Sequence, residues 1–144
     1  MKLNLIAVGS LTTEYQNILD TYLKKIKFLV DVKIIEIKEI NESNIELKKQ
    51  KETENILNKI PKNSLVYYFS LHGKEYSSQE FSNLITNTDN ITFVIGGSNG
   101  VNEEFFENKI KVSKMTFPHQ LFRIIALEQI YRAYTIKNNI KYHK

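Results

Sequence analysis

The sequence has 144 residues, 42% hydrophobic and 25% charged, which suits one compact globular domain with its own core. It has no Cys, so disulfides and thiolate metal sites are excluded, and no apolar run approaches the roughly 18 residues of a membrane span. The net charge of +4 is uneven: Lys109–Lys144 holds eight Lys/Arg against Glu128 alone (+7), while residues 1–108 hold twelve Lys/Arg against fifteen acids (−3).

In chain order, "KLNLIAV" at 2–8 reads as a first strand rather than a secretion signal, because its apolar stretch is short and lacks a small-residue cleavage site. A cytoplasmic protein is therefore expected. Over 13–27, Tyr15, Ile18, Leu19, Tyr22, Leu23 and Ile26 recur at helical spacing. "VKIIEIK" at 32–38 is a strand open to solvent on one side. A polar helix follows at 43–59, with Ile45, Ile56, Leu57 and Ile60 as its few apolar contacts and Pro61 as its stop. Residues 40–53 are dense in charge and are expected to be mobile. "SLVYYFS" at 64–70 is a third strand, and "SSQE" at 77–80 has capping-box spacing before a helix through Phe81, Leu84 and Ile85. "ITFVI" at 91–95 is a fourth, central strand. A short helix over 102–108, a weak strand "KIKVS" at 109–113 and a long helix from Pro118 to about Lys137 complete the series.

This alternation points to an α/β fold, a mostly parallel sheet with helices on both faces. Ligands in such sheets bind beyond the carboxyl ends of the strands, so the loops after 70, 95 and 113 are the places to look.

The loop after 95, "GGSNG", has three glycines in five residues. It lacks G-x-G-x-x-G, and Asn102, Glu103 and Glu104 follow it. Those carboxylates would repel a phosphate, so an uncharged or cationic adenosyl group fits better. Alone, such a loop is more often a tight turn. "SLHGKEY" at 70–76 reads as an exposed connection in which Gly73 permits a turn. In "VSKMTFPHQ" at 112–120, Met115 and Phe117 either plug the core or wall a pocket, and periodicity does not choose between them.

The last helix is apolar along Leu121, Ile124, Ile125, Leu127, Ile130 and Tyr131, a face wide enough for a homodimer interface. His119 and Arg123 lie one turn apart, and Glu128 and Arg132 have the favourable i,i+4 order. The basic end is a candidate polyanion surface, though charge alone favours a merely solvated helix and tail. In "NIKYHK", Tyr142 can stack on a base and His143 can carry protons near neutrality, yet such residues near a terminus are usually inert. The three His, at 72, 119 and 143, lack metal-ligand spacing, so no metal is assigned.

Taken together, "IGGSNG", "SKMTFPHQ", "EQIYRA" and "YHK", with "LIAVG" near the start, resemble the RlmH family. These are SPOUT-class bacterial methyltransferases that modify a pseudouridine in large-subunit ribosomal RNA. The resemblance spans Met1 to Lys144 and implies one SPOUT-like domain over 1–144 with a C-terminal trefoil knot. It implies S-adenosyl-L-methionine as cofactor, contacted by Phe69, Gly96 and the run Val112, Ser113, Lys114, Met115, Thr116 and Phe117. On this reading Gly96 and Gly97 let the backbone approach the adenosyl group. The family often carries an acid after the Phe69 position, where this chain has Ser70. The implied reaction methylates N3 of a pseudouridine in 23S ribosomal RNA, on the assembled ribosome. His119, Arg123, Arg132, Tyr142 and His143 are the candidates for the RNA side, with none singled out as the base. Partners would be the ribosome and a second copy of the chain, with neither membrane nor metal. A non-enzymatic RNA-binding module would use the basic end and the aromatics equally well. A flavodoxin-like binder is less favoured, since no phosphate loop is present.

Overall fold

Five strands and four helices alternate along the chain in the computed structural model, which describes residues 1–144. In order they are β1 (Lys2–Val8), α1 (Thr13–Ile26), β2 (Asp31–Ile37), α2 (Ile45–Lys59), β3 (Leu65–Glu75), α3 (Ser78–Thr86), β4 (Asn90–Ile95), β5 (Lys109–Lys111) and α4 (His119–Lys137). All strand pairs are parallel, in the order β2-β1-β4-β3-β5. β4 is therefore the middle strand, as its unbroken apolar run requires when both faces are covered.

The period-2 alternation of the strands divides the core in two. Leu3, Leu5, Ala7, Tyr67, Phe69, Phe93 and Ile110 face α1, α3 and α4. Ile6, Val8, Tyr68 and Val94 face the other way, toward Ile56 of α2 and toward Val101 and Phe106. Helices thus cover both faces, three against one. α3 begins with the expected capping box: Ser77 accepts from the Glu80 backbone N–H, and the Glu80 carboxylate accepts from that of Ser77.

Several boundaries differ from expectation for physical reasons. The 102–108 segment is only a 3-10 turn at Glu103–Phe105, and β5 ends at Lys111. On α2, Ile56 is buried but Ile45 is exposed, and the inward face carries Lys48, Glu52 and Thr53 instead. These polar groups bind what would otherwise be a loose segment. Lys48 Nζ donates to Glu39 at 2.7 Å and to Asn99 at 3.0 Å, and Glu52 accepts from the Ile40 backbone N–H at 2.9 Å. The charge-rich stretch is therefore tied to the glycine loop. Lys48 also holds the Glu39 carboxyl below its ordinary value.

β3 runs past residue 70 to Glu75. Ile110 is partnered by both Phe69 and Lys74, so Ser70–Gly73 bulge out of the ladder between two paired stretches. Gly73 is there for close approach rather than for a turn: a Cβ would lie 2.6 Å from the Ile110 carbonyl carbon. Gly73→Ala should consequently prise β5 from β3 and cost about 1–3 kcal/mol, the usual price of overpacking. A denaturant midpoint equal to that of the native protein would refute this account of the bulge.

Candidate functional site

Beyond the carboxyl ends of β4 and β5, two loops meet the bulged middle of β3 and enclose a cleft of about 370 Å³. Its walls are apolar where Phe69, Ile95, Ile110, Val112, Phe117 and Phe122 converge, and polar at Ser70, Ser113, Thr116 and His119. Phe122 meets Phe69 edge-on at 5.5 Å and lies 6.2 Å from Phe117, so α4 closes the aromatic wall. Volume and lining are those of a small-molecule site.

Of the residues expected at the cofactor, Phe69, Gly96, Val112, Ser113, Met115, Thr116 and Phe117 all line this cleft, while Lys114 does not. Met115 is largely exposed, as a wall residue is and a core plug is not. The turn is fixed locally by the Ser113 hydroxyl, which accepts from the Met115 backbone N–H at 3.0 Å.

The glycines of the loop are also closely approached from within the protein. A Cβ on Gly96 would lie 3.1 Å from both the Tyr68 hydroxyl and Val101, and one on Gly97 would lie 2.9 Å from Glu52 Oε1. Both glycines are therefore closely packed from within the chain, Gly96 by Tyr68 and Val101 and Gly97 by Glu52 and Val8. Burial pushes the Tyr68 hydroxyl up to about 12, so it stays a neutral phenol there. Gly100, with φ of +75°, is the conformational glycine of the loop.

The expected RNA-side residues separate into three places. His119 lines the cleft, and its Nε2 lies 2.7 Å from the Gly96 carbonyl oxygen. A carbonyl only accepts, so Nε2 carries the proton and Nδ1 is left as an acceptor.

Arg123 is not at a surface at all. It is 1% exposed, and it donates to the Val8 and Gly9 carbonyls at 3.1 and 2.9 Å and to Glu36 at 3.2 Å. Burial lowers its pKa, partly offset by Glu36. The expectation that Arg123 faces RNA is corrected: within the chain it ties α4 to the end of β1.

Arg132, Tyr142 and His143 do assemble, around a residue outside the expected set. Glu128 accepts from Arg132 at 2.6 Å and from the Tyr142 hydroxyl at 2.9 Å, and Arg132 is 3.0 Å from His143 Nδ1. The Arg132 guanidinium lies over the Tyr142 ring at 4.9 Å, and Tyr142 meets Tyr131 edge-on at 4.8 Å. Tyr22 and Lys25 of α1 extend this patch of cations and rings. Burial, then the hydrogen bond to Glu128, raises the Tyr142 pKa, so at neutral pH it is a donor and not a base. Glu128 was detectable in the sequence as the one acid of the basic end. Tyr22 and Lys25 carried no such signal, because only the packing of α1 on α4 brings them in.

Thirteen residues of helix separate His119 from Arg132, about 20 Å at 1.5 Å per residue. In one chain, therefore, the cleft and the tail cluster lie at opposite ends of α4. The apolar face expected for dimerisation is largely spent inside, since Ile124, Leu127 and Ile130 are buried against the chain's own sheet. A narrower stripe remains half-exposed: Leu121, Ile125, Glu128 and Arg132. No helix is long and apolar enough to cross a membrane.

Residues 1–143 match the family described as "Predicted SPOUT methyltransferase". The chain is similar over its whole length to curated proteins named ribosomal RNA large subunit methyltransferase H. It is 65% identical to that of Mycoplasma mobile, 63% to that of Mycoplasmopsis synoviae and 60% to that of Metamycoplasma arthritidis, each across 144 residues and all of both chains.

Proposed function

The chain belongs to the SPOUT methyltransferases, in the RlmH family, and from that premise we propose that it methylates N3 of a pseudouridine in 23S ribosomal RNA on the assembled ribosome. With the family comes its C-terminal trefoil knot, which the sequence pattern of strands and helices alone would never suggest. We read 1–144 as one domain working in the cytoplasm.

The observation that carries the reading is the cleft, where bulged β3 and two loops bring together all the expected cofactor residues but Lys114. The residues present fit S-adenosylmethionine. Phe69, Ile95, Ile110 and Phe117 offer apolar faces to an adenine, and Ser70, Ser113 and Thr116 offer polar atoms to the rest. When bound, this cofactor supplies an electrophilic methyl group on a positively charged sulfur.

The imide nitrogen of a pseudouridine attacks only once its proton is removed. The N3 proton would pass to a base of the protein, leaving the nitrogen free to take the methyl group that the cofactor would supply. Within the chain, His119 is the imidazole that lines the cleft, its ring oriented by the Gly96 carbonyl, and in its neutral form it offers Nδ1 as a proton acceptor. Negative charge spreading onto the flanking carbonyls of the base calls for cationic or neutral donors, the kind assembled at Arg132, Tyr142 and His143.

Those donors must come from a second copy. A two-fold pairing of the half-exposed stripes on α4, run antiparallel, would set the Arg132 end of one subunit against the Leu121 end of its partner. That spans the 20 Å and completes each site in trans. Sedimentation at micromolar concentration should accordingly give twice the monomer mass. A monomer that still methylates would remove the need for a partner.

The activity itself is tested by titrating S-adenosylmethionine calorimetrically and by assaying methyl transfer to intact ribosomes and to free ribosomal RNA. Binding, with transfer to ribosomes and mapping to pseudouridine N3, is expected. Binding of RNA with no affinity for the cofactor would favour a non-enzymatic module.

A further inference from the structure

The bulge in β3 brings Ser70 to the rim of the cleft with its hydroxyl already committed. Ser70 Oγ–H donates to Glu103 Oε1 at 2.5 Å, and Ser70 Oγ accepts from the His72 backbone N–H at 2.9 Å. The other oxygen of Glu103 lies 3.1 Å from His72 Nδ1, which must donate to it. A hydroxyl has one proton and two lone pairs. The proton and one lone pair are used within the chain, so Ser70 has a single lone pair left to offer.

Hydrogen bonds to a carboxylate are short and strong, and they hold a hydroxyl rotor in place. Ser70 is only 9% exposed, and its proton is directed to Glu103. Although burial alone would raise the Glu103 carboxyl, the bonds from Ser70 and His72 bring it below its ordinary value. It is therefore ionised at neutral pH and accepts only.

We propose that Glu103 fixes Ser70 as an oriented hydrogen-bond acceptor facing the cleft, so that Ser70 receives an N–H or O–H donor of the bound cofactor. Resting on the reading above, this gives Ser70 a specificity role and Glu103 a positioning role. Two parts of S-adenosylmethionine carry such donors: the ammonium of the amino-acid end and the nucleoside. The ionised Glu103 behind Ser70 favours the cationic one.

The test is calorimetric titration of the native protein, Ser70→Ala, Glu103→Gln and the double variant with two ligands. S-adenosylhomocysteine has both kinds of donor, whereas 5′-methylthioadenosine keeps the nucleoside and lacks the amino-acid end. Thermal melting establishes that each variant is folded. Ser70→Ala should weaken S-adenosylhomocysteine by about tenfold and Glu103→Gln by somewhat less, with the double variant no weaker than Ser70→Ala alone. Unchanged 5′-methylthioadenosine affinity would assign the donor to the ammonium, and an equal loss would assign it to the nucleoside. Either result supports the oriented acceptor. Native-like affinities in folded variants, or fully additive losses in the double variant, would overturn it. Failure of the native protein to bind either ligand would instead overturn the cofactor reading itself.

Discussion

Deleting residues 141–144 is expected to reduce methyl transfer to ribosomes by at least about 100-fold, the scale of a lost proton-transfer or charge-stabilising group. Affinity for S-adenosylmethionine should stay within about twofold, because none of residues 141–144 is among the side chains that wall the cleft. The tail is no frayed end: Tyr142 is clamped by Glu128, Arg132 and Tyr131, and His143 rests on Arg132. Removing it leaves Arg132 closed on Glu128 as a simple ion pair and uncovers one ring of Tyr131. The loss of one aromatic pair costs about 1 kcal/mol of stability, too little to unfold the chain. Tyr142→Phe separates the two contributions of that residue, since it keeps the ring contact and discards the hydroxyl that donates to Glu128. Near-native transfer by the truncated protein would show that the RNA is handled elsewhere.

Arg123→Ala is expected to lower the stability of the fold by about 3–5 kcal/mol, as the loss of one member of a buried charge network does. The side chain is buried, and the Val8 and Gly9 carbonyls that it satisfies would be left without that donor. Glu36 is half-exposed and can turn to water, so the cost falls mainly on the backbone. Arg123→Lys should recover only part, because one ammonium cannot span two carbonyls and a carboxylate in a fixed fork. Urea unfolding measures both. A stable Arg123→Ala protein that binds cofactor and fails only in transfer would return this residue to the RNA side.

Arg123 also marks where sequence reading stops. Its spacing from His119 was legible, and both do share a face of α4. Whether that face turns toward RNA or toward β1 depends on the crossing of helix and sheet, which periodicity does not encode. The strands were legible because β1 and β4 end in apolar runs, Leu5–Val8 and Phe93–Ile95, whereas β3 carries on through polar residues where Gly73 lets β5 close in. The residues that line the cleft were legible as motifs. The packing beneath its glycines was not, since the Tyr68 and Glu52 side chains there come from other elements. Glu103 was read from the sequence only as a carboxylate that would repel phosphate, whereas its bond to Ser70 crosses 33 residues and only the fold brings it about.

The bond from Arg123 to the Val8 carbonyl joins groups 115 positions apart, and β1 gains its central neighbour only when β4 exists. During synthesis at about 5–20 residues per second, β1 would therefore wait many seconds with one edge and one face unprotected. Unlike a meander, whose strands pair as they emerge, this sheet is completed by insertion of β4 between β1 and β3. Most of the chain must leave the ribosome before any stable core can close. Until then, the nascent protein depends on shielding of its first strand, a parallel-sheet edge prone to pairing with other chains.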